Sequence, residues 1–184
     1  MRVVVGISGG SGSLYALGLL RALKDLGVET HLVVSGMGDY VTEHECDVTL
    51  NELKTFADYY HENKDLAAPI ASGSFLTDAM VIVPCSMKTV AAVANGLSDN
   101  LLTRAADVTI KENRKLIVVP RETPLSSIHL ENMLKLSKTG VTVLPASPPF
   151  YNRPENIGDI VISIVARILD QIGIQHNLIK RWGE

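Results

Sequence analysis

The stretch "VVVGISGGSGSLYALGLL", residues 3–20, contains three patterns in a row that together decide the fold. A run of β-branched residues predicts a short buried strand, and leucines at helical spacing predict a helix over residues 13–26. Between them, residues 8–12 are all serine or glycine. Such small side chains leave backbone N–H groups open beside a helix N-terminus, where an anion is stabilised. We therefore predict a strand–loop–helix unit whose loop approaches an anionic ligand.

The spacing of the glycines matches neither standard nucleotide-binding pattern. It differs from G-x-G-x-x-G, typical of dinucleotide sites, and from G-x-x-x-x-G-K-[ST], typical of the phosphate-binding loop of NTPases. A tight strand-to-helix turn without a ligand remains the alternative at this point.

Short apolar segments alternate with helical patterns along the rest of the chain. Nearly all-apolar strands separated by helices are typical of a parallel sheet covered on both faces. Ligands bind beyond the carboxyl ends of such strands, so the chemistry is expected there. We find no linker or repeat and predict one domain, residues 1–184. The predicted strands are residues 2–8, 29–35, 79–86, 115–122 and 141–145, and predicted helices include residues 38–46, 51–60, 99–114, 127–138 and 157–172.

Composition and charge argue against several classes of protein. The formal charge of the 184 residues is −3, whereas binding to nucleic acid needs a basic face. No apolar run approaches the ~18 residues of a membrane span, and the first residues lack the layout of a secretory signal. We therefore expect a soluble, cytoplasmic protein that binds neither nucleic acid nor membrane. The two cysteines form neither a disulfide framework nor a zinc-binding spacing, and we expect no metal.

The segment "PCSMKT", residues 84–89, follows the third predicted strand and has the pattern of a second helix N-terminus. Ser86 or Thr89 could donate hydrogen bonds to a ligand there, and an ordinary N-cap is the alternative. Cys85 could act as a nucleophile beside the helix dipole, but a small buried side chain is the more common role of such a cysteine.

The segment "VVPRETP", residues 118–124, places two charges directly after a buried strand. Charges near a core are costly unless they are paired or used. Arg121 and Glu122 therefore suggest one group that holds an anion and another that handles a proton, with a structural salt bridge as the alternative.

Six segments together resemble the UbiX family of flavin prenyltransferases, a family long described as aromatic-acid decarboxylases. They are "GISGGSG", "ASGSF", "PCSMKT", "NLLTRAADV", "KENRKLIVVPRETPLSSIHLENM" and "FYNRP", and the likeness covers essentially the whole chain. Gly10 stands where the family often has alanine, "KENR" replaces the commoner "KERR", and Cys46 stands where threonine is usual. None of these departures touches the residues that define the activity.

The resemblance implies an α/β fold, a Rossmann-like (flavodoxin-like) three-layer sandwich with a parallel sheet that binds FMN. It also implies transfer of a dimethylallyl group from dimethylallyl monophosphate to N5 and C6 of reduced FMN, without a metal. The prenylated FMN is the cofactor of UbiD-type decarboxylases, which serve ubiquinone synthesis or the breakdown of aromatic acids. The family is dodecameric with sites between subunits, and the high aliphatic content of this chain fits such an assembly.

Carried over by position, the resemblance assigns three groups of residues in this chain. The cofactor-binding residues would be Gly9, Gly10, Ser11, Ser35, Ser86, Met87, Lys88, Thr89 and Arg121. The substrate phosphate would be held by Tyr151, Arg167 and, from a neighbouring subunit, Lys111. The catalytic residues would be Ser11, Glu45, Lys111 and Glu122.

Breaking the allylic C–O bond separates a cation from a phosphate, so the site must stabilise separated charge. Lys111, Arg167 and the Tyr151 hydroxyl would stabilise the phosphate in place of a metal. Glu122 would donate a proton to it, provided that burial raises the pKa of that carboxyl. The bound phosphate or Glu45 would remove the proton at ring closure.

Two other functions remain as alternatives at this stage. A flavin-dependent cysteine decarboxylase of the phosphopantothenoylcysteine type shares the fold, but carries a catalytic histidine and "PASANT"-like residues where this chain has "APIASGSF" and "PCSMKT". A flavodoxin-like electron carrier has no use for Lys111, Glu122, Tyr151 and Arg167 around one cavity.

Overall fold

The computed structural model describes residues 1–181 and Gly183. In that part of the chain, six parallel strands form one sheet: β1 (Arg2–Ile7), β2 (Glu29–Val34), β3 (Tyr59–Glu62), β4 (Ala79–Cys85), β5 (Lys115–Pro120) and β6 (Thr142–Val143). Their order across the sheet is β3-β2-β1-β4-β5-β6, and every neighbouring pair is parallel. All strands therefore end at the same edge, which gathers the segments that follow them.

Helices connect the strands, and none of those in the described residues is long and apolar enough to cross a membrane. Six of them begin after a serine, threonine or asparagine whose side chain accepts a hydrogen bond from the first turn, which explains why they start where they do. Among the α-helices of the described residues, the exception is the first, which follows Gly12 and has no side-chain cap of this kind. The helices are α1 (Ser13–Asp25), α2 (Gly36–Cys46), α3 (Leu50–Lys54), α4 (Met87–Ala94), α5 (Leu101–Lys111), α6 (Ser127–Lys138) and α7 (Ile157–Ile172).

Two apolar layers, one on each face of the sheet, form the core. Along β1, Val3, Val5 and Ile7 pack on one side with α1 and α7, while Val4 packs on the other side with α4 and α5. This alternation follows from the two-residue period of a strand. The prediction of a parallel sheet covered on both faces is confirmed, and the strand order is that of a Rossmann-like fold.

The order of the strands reverses between β1 and β4. The chain runs outward from β1 to β2 and β3 and then returns to place β4 on the other side of β1. The buried Ser8 joins the two strand ends, because its hydroxyl donates to the Pro84 carbonyl at 3.0 Å and accepts the N–H of Ser86 at 2.7 Å. Ligands of open parallel sheets bind at such a reversal.

Part of the predicted secondary structure is wrong. The helix expected over residues 51–60 ends at Lys54, and Tyr59–Glu62 forms β3, which pairs in parallel with β2. β3 is an edge strand with partly exposed polar and aromatic residues, so it lacks the apolar run that marks the inner strands. The last predicted strand, residues 141–145, is shorter than expected and comprises Thr142–Val143.

Candidate functional site

The first turn of α1 is capped by a carboxylate from another helix. Glu45 lies near the end of α2, and its Oε2 accepts hydrogen bonds from Gly12 N at 2.9 Å and from Ser13 N at 2.8 Å. The anion at this helix N-terminus is therefore a side chain of the protein. Within residues 8–12, Glu45 takes only the N–H of Gly12, and Ser8 N donates to the Pro84 carbonyl, so the ligand expected at this loop stays a prediction for residues 9–11.

The environment of Glu45 favours its charged form. Burial raises the pKa of the carboxyl, but hydrogen bonds from Ser11 and from the N–H groups of Gly12 and Ser13 outweigh burial, so the pKa lies below its ordinary value. The positive end of the α1 dipole acts in the same direction. Glu45 is thus ionised at neutral pH, and the same hydrogen bonds make it a weaker base than an ordinary glutamate.

Arg121 ties the end of β5 to the same loop. Its Nε donates to the Ser11 carbonyl at 2.8 Å. The next side chain, Glu122, is exposed, and its carboxylate accepts the N–H of Thr123 at 3.0 Å. Each of the two charged side chains that follow β5 thus has its own main-chain partner. Glu122 is not buried in this chain, so the burial that the proposed proton donor requires would have to come from a ligand or a neighbouring subunit.

Two helix N-termini face one cavity at the reversal point of the sheet. The Ser35 hydroxyl accepts the N–H of Gly38 at 3.0 Å and caps α2. The Ser86 hydroxyl accepts the N–H of Thr89 at 3.3 Å, caps α4 and lies 3.0 Å from the Thr89 hydroxyl. Because both dipoles present their positive ends here, the local field favours an anion.

The cavity between these helix ends has a volume of about 720 Å³. That volume lies within the ~300–1,000 Å³ that is usual for pockets that bind small molecules. The backbone of the glycine loop comes close to α2 at its rim, since a Cβ on Gly9 would lie 2.5 Å from Met37 Cβ. A polar end rich in hydroxyl groups beside a larger apolar wall fits a flavin mononucleotide. The predicted cofactor residues that line the cavity are Gly9, Ser35, Ser86, Lys88 and Thr89.

The other four predicted cofactor residues do not line this cavity. Gly10 lies against the start of α4, where an added Cβ would be 3.4 Å from Ser86 N. Met87 packs against the core layer formed by α4 and α5. Ser11 and Arg121 are joined to each other by the hydrogen bond described above.

Sequence reasoning missed the wall of the cavity that comes from β3 and α5. Asn63 follows β3, and its side-chain oxygen accepts the N–H of Leu102 at 3.0 Å, while its carbonyl accepts the N–H of Leu101 at 2.8 Å. The N-cap of α5, Asn100, was readable from the pattern that precedes the helix. Asn63 was not, because its position depends on the strand that the sequence failed to reveal. The additional lining residues include Met37, Asn63, Leu97, Asn100, Leu102 and Thr103.

Tyr151 and Arg167, two of the three predicted phosphate ligands, line a common cavity of about 550 Å³ beside β6. A smaller cavity of about 350 Å³ contains Arg121 and Glu122. The two cavities share Pro145 and Ser147 in their walls, so they are adjacent. The two predicted phosphate ligands therefore line a cavity that adjoins the one containing the predicted proton donor.

Lys111, the third predicted phosphate ligand, lies elsewhere in the chain. It is the last residue of α5, which ends just before β5 begins, at the edge of the sheet opposite to Arg121 and Glu122. Its amine forms an ion pair with Glu112. Within one chain Lys111 does not join the other two ligands, so its assignment depends on a neighbouring subunit and stays a prediction.

The described residues contain no group of three or more histidine, cysteine, aspartate or glutamate side chains placed to hold a metal ion. Cys85 is completely buried at the end of β4, and burial raises the pKa of its thiol. It therefore packs as a small apolar side chain, as expected for a structural cysteine.

Comparison with known proteins finds relatives of this chain among flavin-binding proteins. A family model described as Flavoprotein matches residues 1–169. The flavin prenyltransferase UbiX of Methanocaldococcus jannaschii is 50% identical over 183 residues, which cover 100% of this chain and 99% of the relative. The chain belongs to the UbiX family of flavin prenyltransferases.

Solved structures of UbiX proteins agree closely with this fold. A dodecameric FMN-dependent UbiX-like decarboxylase from Escherichia coli O157:H7 superposes with a TM-score of 0.98 at 49% identity, over 100% of both chains. AnUbiX (PadA1), in complex with FMN and dimethylallyl pyrophosphate, gives 0.98 at 43% identity, over 100% of this chain and 97% of the other. The peptidyl-cysteine decarboxylase EpiD shares the fold alone, with a TM-score of 0.64 at 18% identity over 93% of this chain and 97% of the other. The comparisons thus favour the UbiX family over the cysteine decarboxylases.

Proposed function

We propose that this protein transfers a dimethylallyl group from dimethylallyl monophosphate to N5 and C6 of reduced FMN, with residues 1–184 acting as one flavin-binding domain. The observation that carries this proposal is the placement of two different cavities around one loop. A cavity at two helix N-termini lies beside the loop that begins after β1. A cavity with an arginine and a tyrosine lies near the end of β5, which Arg121 ties to the same loop.

FMN would occupy the larger cavity. The hydroxyl groups of Ser35, Ser86 and Thr89 and the exposed Lys88 would hold its phosphate at the starts of α2 and α4. Gly9 lines this cavity and packs so closely on Met37 that no side chain fits there, and its main chain would lie against the flavin ring. Bound reduced FMN supplies the nucleophilic atoms that take the prenyl group.

The allylic phosphate would lie against Tyr151 and Arg167, close to Glu122. An arginine presents planar donors to phosphate oxygens, and the tyrosine hydroxyl adds a neutral donor, so both stabilise the charge that develops on the leaving group. Lys111 of a neighbouring subunit would complete this set in a dodecamer. A cluster of this kind performs the task that a metal ion performs for diphosphates.

Two carboxylates would divide the proton transfers. Glu122, shielded from water by bound substrate, would protonate the leaving phosphate. Glu45 is held ionised through Ser11 and the first turn of α1 and would accept the proton released at ring closure. Ser11, hydrogen-bonded to Glu45, would connect that carboxylate to the reacting centre.

Anaerobic incubation with reduced FMN and dimethylallyl monophosphate tests the proposal. The extracted flavin should gain the mass of one five-carbon unit, whereas unmodified FMN after full incubation would contradict the activity. Arg167→Ala should weaken binding of the allylic phosphate while FMN stays bound. Glu43→Gln, a change at an exposed glutamate on α2, should leave both unchanged and serves as the control.

We also propose that the product is passed to a UbiD-type decarboxylase and that both proteins act in the cytoplasm. The proposal predicts that a UbiD-type enzyme made without its cofactor gains activity after mixing with this protein, FMN, a reductant and the prenyl donor. If the extracted flavin is modified but the decarboxylase stays inactive, the proposed prenyl transfer stands and the proposed partner is wrong.

A further inference from the structure

Asp170 lies near the end of α7 and contacts three basic side chains at once. Its Oδ2 accepts from Arg167 Nη1 at 3.1 Å, and its Oδ1 accepts from Arg181 Nη2 at 2.8 Å and lies 3.2 Å from His176 Nε2. The Asp170 side chain is 17% exposed, whereas that of Arg167 is 54% exposed. The carboxylate is thus largely buried beside an arginine that is about half exposed.

The hydrogen bonds of His176 show how the same carboxylate holds the segment after α7. The Nδ1 of His176 accepts the N–H of Leu178 at 3.3 Å, so the proton of the neutral ring lies on Nε2. Nε2 then donates to the Ala166 carbonyl, at 3.0 Å, and to Asp170. The imidazole is almost completely buried, which fixes both contacts. Residues 176–181 are therefore attached to α7 at the position that also holds Arg167.

An arginine on an exposed helix face loses much rotamer freedom when it binds a phosphate. A partner that already fixes one of its nitrogens reduces that loss and aims the remaining donors. Arg167 has five N–H donors, so the bond from Nη1 to Asp170 leaves donors for a phosphate oxygen. Arg181 offsets the charge of Asp170, which keeps the surroundings of Arg167 from becoming net negative.

We propose that Asp170 is a positioning residue for the prenyl donor: it orients the Arg167 guanidinium toward the cavity shared with Tyr151 and couples that orientation to residues 176–181. This inference rests on the phosphate-binding role of Arg167 proposed above. Asp170 lines neither the cavity of Tyr151 and Arg167 nor the adjoining cavity of Arg121 and Glu122, and it acts only through its basic partners.

Steady-state kinetics of the FMN-loaded enzyme with Asp170→Asn test this inference. The KM for dimethylallyl monophosphate should rise about three- to fivefold, the upper part of the range for an exposed ion pair, while kcat and FMN affinity change little. Asp170→Glu keeps the charge and should recover part of the loss, and it serves as the test if the asparagine variant folds poorly. The matched control is Glu29→Gln, which removes a carboxylate that likewise holds an arginine, Arg2, and a histidine, His31, none of which lines the cavity of Arg167.

The variant Arg167→Ala separates failure of this inference from failure of the phosphate site. In the Arg167→Ala background, Asp170→Asn should produce no further increase in KM, because the carboxylate acts through that arginine. If Arg167→Ala raises KM but Asp170→Asn leaves it unchanged or lowers it, the positioning role is wrong and the phosphate site stands. If Arg167→Ala itself leaves KM unchanged, both proposals are overturned.

Discussion

Replacement of Glu45 by glutamine should destabilise the protein through α1. The substitution keeps the shape of the side chain but removes the charge that receives the N–H groups of Gly12 and Ser13 at 2.9 and 2.8 Å. Hydrogen bonds to a charged group contribute about 1.5–3 kcal/mol and neutral ones about 0.5–1.5 kcal/mol. Since Glu45 is only partly buried, we expect a loss of about 1–2 kcal/mol for the two bonds together.

The measurement is thermal and urea unfolding at equal subunit concentration, with Glu43→Gln as the matched control on the same helix. For a chain of this size, the expected loss corresponds to a decrease in Tm of about 2–8 °C at pH 7. The pKa of Glu45 is lowered in the folded state, so its contribution is present above the ordinary pKa near 4.3 and is lost as the pH falls through the lower folded value. The difference between wild type and variant should therefore shrink below about pH 4.

Two results would refute this reasoning. Equal stability of wild type and Glu45→Gln at pH 7 would mean that the carboxylate does not support the first turn of α1. A difference that persists unchanged to pH 3 would mean that the glutamine destabilises the protein by another route, such as altered packing.

Three further predictions concern the reversal point and the sheet edge. Ser8→Ala should cost about 1–3 kcal/mol in urea unfolding and weaken FMN binding, because Ser86 N loses its acceptor; unchanged FMN affinity would contradict this. Gly38→Ala should cost about 1–3 kcal/mol, since its Cβ would lie 2.6 Å from the Ile7 carbonyl oxygen, and a variant with wild-type Tm would show that α2 can shift freely. Burial lowers the pKa of His61, so its contribution to the free energy of unfolding should be fully present above about pH 6.5 and should decrease as the pH falls from there toward the folded pKa. His61→Gln should flatten that decrease between pH 7 and pH 5. An equally steep decrease in the variant would show that other groups cause it.

The inner part of the fold was predictable from the sequence, because strands buried on both faces are continuous apolar runs. Val3, Val4 and Val5 illustrate this, since each lies in the core although they alternate between the two faces of the sheet. β3 was not predictable, because an edge strand with one neighbour keeps tyrosine and histidine partly exposed and lacks a continuous apolar run. Its sequence therefore resembles the end of the helix that was predicted before it.

The candidate site was predictable where it depends on strand ends and helix caps. Ser35 and Ser86 follow apolar strands and precede helices, and both line the flavin-sized cavity. The role of Glu45 at the start of α1 was not readable, because its contacts span 33 and 32 residues and depend on how α2 packs. The hydrogen bonds of Asp170 to the segment after α7 depend in the same way on tertiary packing.

The position of Lys111 at the opposite edge of the sheet has a genetic consequence. Suppose that each active site takes Arg167 from one subunit and Lys111 from a neighbouring subunit. A chain with Lys111→Ala and a chain with Arg167→Ala then each lack a different one of the two contributions to the site. Co-expression of the two inactive proteins should then yield mixed particles in which some centres combine both intact halves. Such complementation would mean that the enzyme is active only as an oligomer. A single subunit would then be inactive even with every residue intact.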